Sequence, residues 1–205
     1  MYWIEKTNVK RIRLAILASG GGSNAKKICT YFKVHDWIEV ATIITNKADA
    51  GVLDVADEFS VPSLVIKKEN LSDGLVAHWL YKHKVDFIVL AGFLMLIPAE
   101  LISNFPNRIL NIHPSLLPKY GGKGMHGHHV HAAVILHHDH ITGMTIHLVN
   151  EKYDEGQILF QAQCNVDADD NAEIVAKKVL VLEHKYYSVT IENYIKTYLE
   201  GNETN

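Results

Sequence analysis

The sequence predicts an α/β fold: one doubly wound, mostly parallel sheet flanked by helices, closed by a C-terminal antiparallel hairpin and a terminal helix. Three observations carry this. Short apolar runs alternate with stretches of helical spacing along most of the chain, the pattern of βαβ units. The first run is followed by a glycine loop, Ser19-Gly20-Gly21-Gly22-Ser23-Asn24, and then by a helix start. A later run, 108–113, delivers Asn111 and His113 to a proline that stops it.

The chain has 205 residues, enough for one domain with a real core and at most two small ones. We read a single domain over 1–205. A net charge of -3 lacks the basic footprint of a nucleic-acid binder. Cys29 and Cys164 are far apart, which fits a reducing compartment rather than a disulfide scaffold. No apolar run approaches ~18 residues, the length that spans a bilayer, and Met1 to Lys6 lacks the apolar core of a signal peptide. The expectation is a cytoplasmic protein with small-molecule partners, no nucleic acid and no membrane, as a monomer or homodimer.

Taken in order, Ile12 to Ala18 is a buried strand. Strand, glycine loop and helix start together make an anion site, because backbone N–H groups and the helix N-terminus face the loop. The loop matches neither the dinucleotide fingerprint nor the P-loop, and the same residues also fit a plain turn capped by Ser23 or Asn24. Val40 to Thr45 is the second strand, Val52 to Phe59 a helix, and Val61 to Ile66 an edge strand because of Pro62. Leu71 to Lys82 carries apolar residues at helical spacing, and Asp86 to Leu90 is the next strand. Residues 91–98 are unusually apolar for a loop and suit either a flat pocket wall or a core-facing link.

In a strand over 108–113, Asn111 and His113 point to one face and Leu110 and Ile112 to the other. Ligands bind at the carboxyl ends of strands in open α/β sheets. There a carboxamide and an imidazole can hold a developing oxyanion, and the imidazole can also carry a proton. Residues 115–127, rich in Pro and Gly, read as a long loop over the site, and 128–138 as a helix. Histidines crowd between His126 and His140 without a metal-ligand spacing, so most are expected exposed, with His128 or His129 able to touch a ligand. Thr142 to Val149 and Ile158 to Val166 form the hairpin, and Asn171 to Leu199 a terminal helix, continuous or broken, capped by Asp170 or Asn171.

Gly22-Ser23-Asn24, Ala91-Gly92-Phe93, Asn111-Ile112-His113-Pro114-Ser115-Leu116-Leu117-Pro118, and His147 with Asp154-Glu155-Gly156 occur in that order. From about Ile12 to Leu199 this closely resembles the phosphoribosylglycinamide formyltransferases, with their Rossmann-like formyltransferase fold. The Asn-x-His-Pro run is specific to the wider formyl-folate group. The Gly-Ser-Asn start and Lys119-Tyr120 point to the glycinamide enzymes within it. The resemblance implies a phosphate-binding half, about 11–105, and a catalytic and folate-binding half, about 106–200. It implies 10-formyltetrahydrofolate as co-substrate, no metal, and formyl transfer to the glycine amine of 5-phosphoribosylglycinamide. It assigns Gly22, Ser23 and Asn24 to the phosphate, Glu183 to the glycinamide, and Leu94, Met95, Leu96 and Ile97 to the folate pocket. Asn111 and His113 would flank the formyl oxygen, with Asp154 keeping His113 cationic.

The sequence departs from that pattern in three places. Met95 stands where many relatives carry Arg. Lys68 takes a folate-facing place where Arg is usual, and Lys lacks Arg's planar fork. The glycine-rich stretch 121–126 is longer than in some relatives. Two sister activities remain open. A formyltetrahydrofolate hydrolase is expected to add a regulatory domain before the first strand, and a methionyl-tRNA formyltransferase a basic domain after the last helix. A nucleotide-binding module without turnover is a further alternative, since fold does not settle function.

Overall fold

The computed structural model describes residues 11–203, so the stretch Met1 to Lys6 lies outside the described residues. Seven strands form one sheet: β1 (Ile12–Leu17), β2 (Ile38–Thr45), β3 (Ser63–Val65), β4 (Phe87–Leu90), β5 (Ile109–His113), β6 (Ile141–Leu148) and β7 (Ile158–Asn165). Their order is β3-β2-β1-β4-β5-β6-β7. The first five pair in parallel, and β5-β6 and β6-β7 are antiparallel, so the doubly wound sheet and the hairpin are both present. β3 is an edge strand, and Pro62 just before it lacks an N–H while its carbonyl accepts from Ile43 N–H at 3.0 Å.

Alternation along each strand feeds two cores. Leu14 and Ile16 of β1, Val89 of β4 and Leu110 of β5 pack with α1 (Ser23–Phe32) and α6 (Ala172–Glu203) on one face. Ala15, Leu17, Ile88 and Ile109 pack on the other face with α3 (Leu75–Lys82) and α4 (Ala99–Asn104). Helices on both faces explain why these strands are continuous apolar runs. The remaining helices are α2 (Val52–Glu58) and α5 (His128–Leu136).

Two elements differ from the sequence expectation, and a third settles an alternative. The helix expected from Leu71 starts at Leu75, because Gly74 is left-handed (φ 90°) and a 3-10 turn occupies Lys68–Leu71. No element was expected over 99–107, where α4 follows Pro98, a residue suited to a helix entry. The terminal helix is unbroken, and Asn171 Oδ1 caps it by accepting from the N–H groups of Glu173 and Ile174, each at 3.0 Å. Within α6, Tyr187 is buried and donates to the carbonyl of Leu90 at 2.8 Å, which fixes the end of β4 beside the site.

Candidate active site

The chain leaves β1 toward β2 but returns on its other side as β4, so strand order reverses between them. Such a switch point leaves a crevice beyond the carboxyl ends of the strands. Ser19 ties its two lips together. Its N–H donates to Gly92 O at 3.0 Å, and its Oγ accepts from Leu94 N–H at 3.0 Å and donates to Asn46 Oδ1 at 2.5 Å. A cavity of about 900 Å³ opens there. Its walls come from residues 92–97, the end of β5, the stretch 122–128, and inward faces of α5 and α6.

Gly22 heads α1 with φ 77°, and a Cβ on it would lie 2.8 Å from Val52 Cα. Only glycine fits both demands. No side chain caps α1, which removes the alternative of a turn capped by Ser23 or Asn24 and leaves first-turn N–H groups for an anion. Asn24 is committed elsewhere: its Nδ2 donates to Glu183 Oε2 at 2.6 Å, and its Oδ1 is enclosed without a partner. Burial pushes the Glu183 carboxyl up, with Asn24 acting in the opposite sense.

Asn111 and His113 share one face of β5, and the register sets Asn111 opposite His147 of β6. His147 Nδ1 lies 2.8 Å from Leu148 O, a pure acceptor, so that nitrogen carries the proton. His147 Nε2 then accepts from Asn111 Nδ2 at 3.0 Å. One of the two Asn111 N–H bonds is thereby spent on orientation, and the other is left for a ligand. His113 Nε2 donates to Tyr120 O at 2.8 Å, and its Nδ1 lies 3.4 Å from Asp154 Oδ2. Asp154 is held by Gly122 N–H at 2.9 Å. Its loop turns at Gly156, where a Cβ would fall 1.7 Å from Leu148 O.

Burial is the largest influence on His113. It pulls the imidazole below its ordinary range despite the opposing pull of Asp154. This corrects the expectation of a His113 already cationic near neutral pH: removing the ring from water costs more than one carboxylate at 3.4 Å returns. Burial pushes Asp154 up, but attraction to the His147 and His113 rings in their protonated forms, together with the Gly122 N–H, outweighs it and holds the carboxyl low. Near neutral pH the pair is thus a neutral imidazole beside a carboxylate.

Leu94, Met95, Leu96 and Ile97 all line the cavity, together with Asn24, Asn111, His113, Asp154 and Glu183. Gly22 and Ser23 adjoin that wall at the head of α1. Lys68 is not brought in. It lies exposed on the 3-10 turn after the edge strand, and the wall's cations are Lys123, Lys152 and Lys177 instead. Among the described residues, no three His, Cys, Asp or Glu side chains converge as a metal site. His128 and His129 are exposed as expected, whereas His131 is buried. Sequence reasoning gave no role to His147, Ser19 or His131. The placement of His131 beside Val130 and three residues before Val134, on the apolar side of α5, is a signal for the last. The pairing that makes His147 matter exists only in the sheet.

The sequence model of the formyl transferase family matches residues 12–191. The chain is 47% identical over 187 residues to a chloroplastic phosphoribosylglycinamide formyltransferase of Arabidopsis thaliana, covering 87% of this chain and 63% of that one. A similar protein from Vigna unguiculata is 42% identical, with 62% of its length covered, so the chain spans somewhat over three fifths of these plant relatives. The phosphoribosylglycinamide formyltransferase of Bacillus subtilis (strain 168) is 32% identical, with 89% of this chain and 94% of that one covered. Among solved structures, the phosphoribosylglycinamide formyltransferase of Brucella melitensis superposes with a TM-score of 0.81 at 34% identity, covering 90% of this chain and 96% of that one.

Proposed function

We propose, from the premise that the chain belongs to the formyl transferase family, that it transfers the formyl group of 10-formyltetrahydrofolate to the glycine amine of 5-phosphoribosylglycinamide in purine biosynthesis. One observation carries this reading: a free Asn111 N–H and the His113–Asp154 pair face a single cavity between an apolar wall and a bare helix start.

In this reading the neutral amine attacks the formyl carbon directly. The new C–N bond forms as the carbonyl pair moves to oxygen, and the Asn111 N–H donates to that oxyanion. The attacking nitrogen becomes cationic and acidic. Its proton passes through water to His113 Nδ1, the ring nitrogen that carries no hydrogen while Nε2 donates to Tyr120 O, where Asp154 stabilises the imidazolium. That charge stands beside the oxyanion. The proton then goes to the folate nitrogen as its bond to the formyl carbon breaks. His147 acts by aiming Asn111.

The first-turn N–H groups at Gly22, Ser23 and Asn24 take the phosphate, and Glu183, steadied by Asn24, faces the glycinamide. Leu94, Met95, Leu96 and Ile97 take the pterin, with Met95 giving apolar area but no charge. The reading uses no metal. Among the described residues no helix is long and apolar enough to cross a membrane. We place the protein in the cytoplasm, on the two unpaired cysteines far apart in the chain, which suit a reducing compartment. Because the plant relatives are named as chloroplastic, cell fractionation tests that placement.

The activity is tested by following the absorbance of 10-formyltetrahydrofolate with and without phosphoribosylglycinamide. Turnover only with the ribonucleotide supports the transfer. Turnover without it means a hydrolase and frees the α1 head for another role. No turnover from folded protein overturns the reading.

A further inference from the structure

α5 opens with a group the reaction above leaves unused. His128, His129 and His137 are exposed, but His131 is only 5% exposed and belongs to the wall of the cavity. Its Nδ1 is enclosed with no hydrogen-bond partner, and among the described residues Nε2 has none either. Buried polar atoms in folded proteins are nearly always hydrogen-bonded, and an orphan is costly. At this position in the stripe of Val130 and Val134, a leucine would complete the packing without that cost. An imidazole there calls for a reason outside packing.

The surroundings narrow what it can do. Burial, followed by the neighbouring His128 and His113, pushes His131 down to about 4, so it is neutral in ordinary buffers. A neutral imidazole has one N–H. An enclosed N–H without an acceptor is rarer in folded proteins than an under-used acceptor, so the proton belongs on Nε2, the nitrogen left for the cavity. The residue is therefore a single uncharged donor. Its side of the cavity is also set. Val134, one turn on, packs in the core shared with α1 and α6. From α6, Leu180 and Glu183 reach the same wall, and Glu183 is bonded to Asn24 at the head of α1. The apolar stretch 94–97 belongs to the loop after β4.

We infer that His131 is a binding residue for the ribonucleotide, its Nε2–H donating one uncharged hydrogen bond to an oxygen acceptor of that substrate. This rests on the proposed transfer reaction, and it gives the His-rich segment one specific member with a task. A neutral donor suits a hydroxyl, amide or phosphate oxygen without adding a second cation beside His113.

The test compares wild type with His131→Leu and His131→Gln, reading KM for each substrate, kcat and Tm. One hydrogen bond of about 0.5–1.5 kcal/mol corresponds to roughly two- to tenfold in KM. We expect His131→Leu to raise KM for phosphoribosylglycinamide by that factor, with KM for 10-formyltetrahydrofolate and kcat within about twofold. Its Tm stays level or rises, because an orphaned buried nitrogen is removed. His131→Gln, which keeps an N–H, recovers part of the KM. In wild type, the His131 ring ¹⁵N signal shifts on adding phosphoribosylglycinamide alone, a readout that needs no substitution. An unchanged ribonucleotide KM in His131→Leu with an unmoved ring signal overturns the inference while leaving the reaction intact. So does a fall in Tm with both KM values rising together, which marks a packing residue. A wild type that neither binds nor turns over the ribonucleotide removes the transfer reaction first.

Discussion

Asp154→Asn isolates the role of the carboxylate with little change of shape. The side-chain oxygen that accepts from Gly122 N–H at 2.9 Å is retained, so the loop over the site stays anchored. What goes is the negative charge 3.4 Å from His113 Nδ1. At an effective dielectric of about 20, two unit charges at that separation attract by about 5 kcal/mol, which is a ceiling. Measured shifts from one close opposite charge run to about 1–3 pKa units. His113 already titrates low because burial outweighs Asp154, so the variant should titrate lower still by about that amount. If the imidazolium forms as the oxyanion does, the lost proton affinity appears in the barrier, at about 1.4 kcal/mol per unit. We expect kcat to fall by about 10- to 1000-fold, with both KM values little changed. Folate absorbance from pH 5 to 9 measures this, and histidine NMR follows His113. Stability gives a second readout with a definite sign. The folded Asp154 is held below its ordinary value, so it stabilises the protein above the unfolded value of about 3.9 and loses that contribution as pH falls through the folded one. The variant lacks this acid limb. A kcat within about twofold of wild type, with His113 titrating at the same place, would refute the coupling.

Other predictions follow from single contacts. Asn111→Ala removes the free N–H and should lower kcat by about 10²–10³, the usual cost of an oxyanion donor; single-turnover kinetics checks it. Ser19→Ala leaves the Leu94 N–H without its acceptor at 3.0 Å. It should raise KM for 10-formyltetrahydrofolate severalfold, at a stability cost of about 1–3 kcal/mol, measured by steady-state kinetics and urea unfolding. Gly156→Ala drives a Cβ into Leu148 O at 1.7 Å, a backbone clash at the loop that carries Asp154. Thermal melts should show a loss of about 2 kcal/mol or more, with activity falling further than stability because His113 loses its partner's position.

Much of the fold was legible because its signals are local. Each buried strand announces itself as an apolar run, since a strand covered on both faces has no polar side to show. Pro62 marked the edge, and Asp170 or Asn171 the helix cap, for equally local reasons, a missing donor and a short side-chain acceptor. Lys68 shows where local reading stops. Its charge was visible, but whether the residues after an edge strand turn toward the cavity depends on the 3-10 turn at Lys68–Leu71. The charge of His113 failed for a related reason. Asp154 could be suspected from order in the chain, but desolvation is set by how much protein surrounds the ring, and here that is the larger influence.

By itself the sequence determined the doubly wound sheet, the Asn111 and His113 pair on one strand face, and the apolar character of residues 91–98. These are fixed by periodicity and by the chemistry of single residues. Tertiary structure alone decided that His147 stands opposite Asn111 and aims it, that Asn24 serves Glu183 and caps nothing, and that one histidine of a crowded segment is sealed beside the site. Those outcomes depend on register between strands distant in the chain and on burial, and neither is a property of any short stretch.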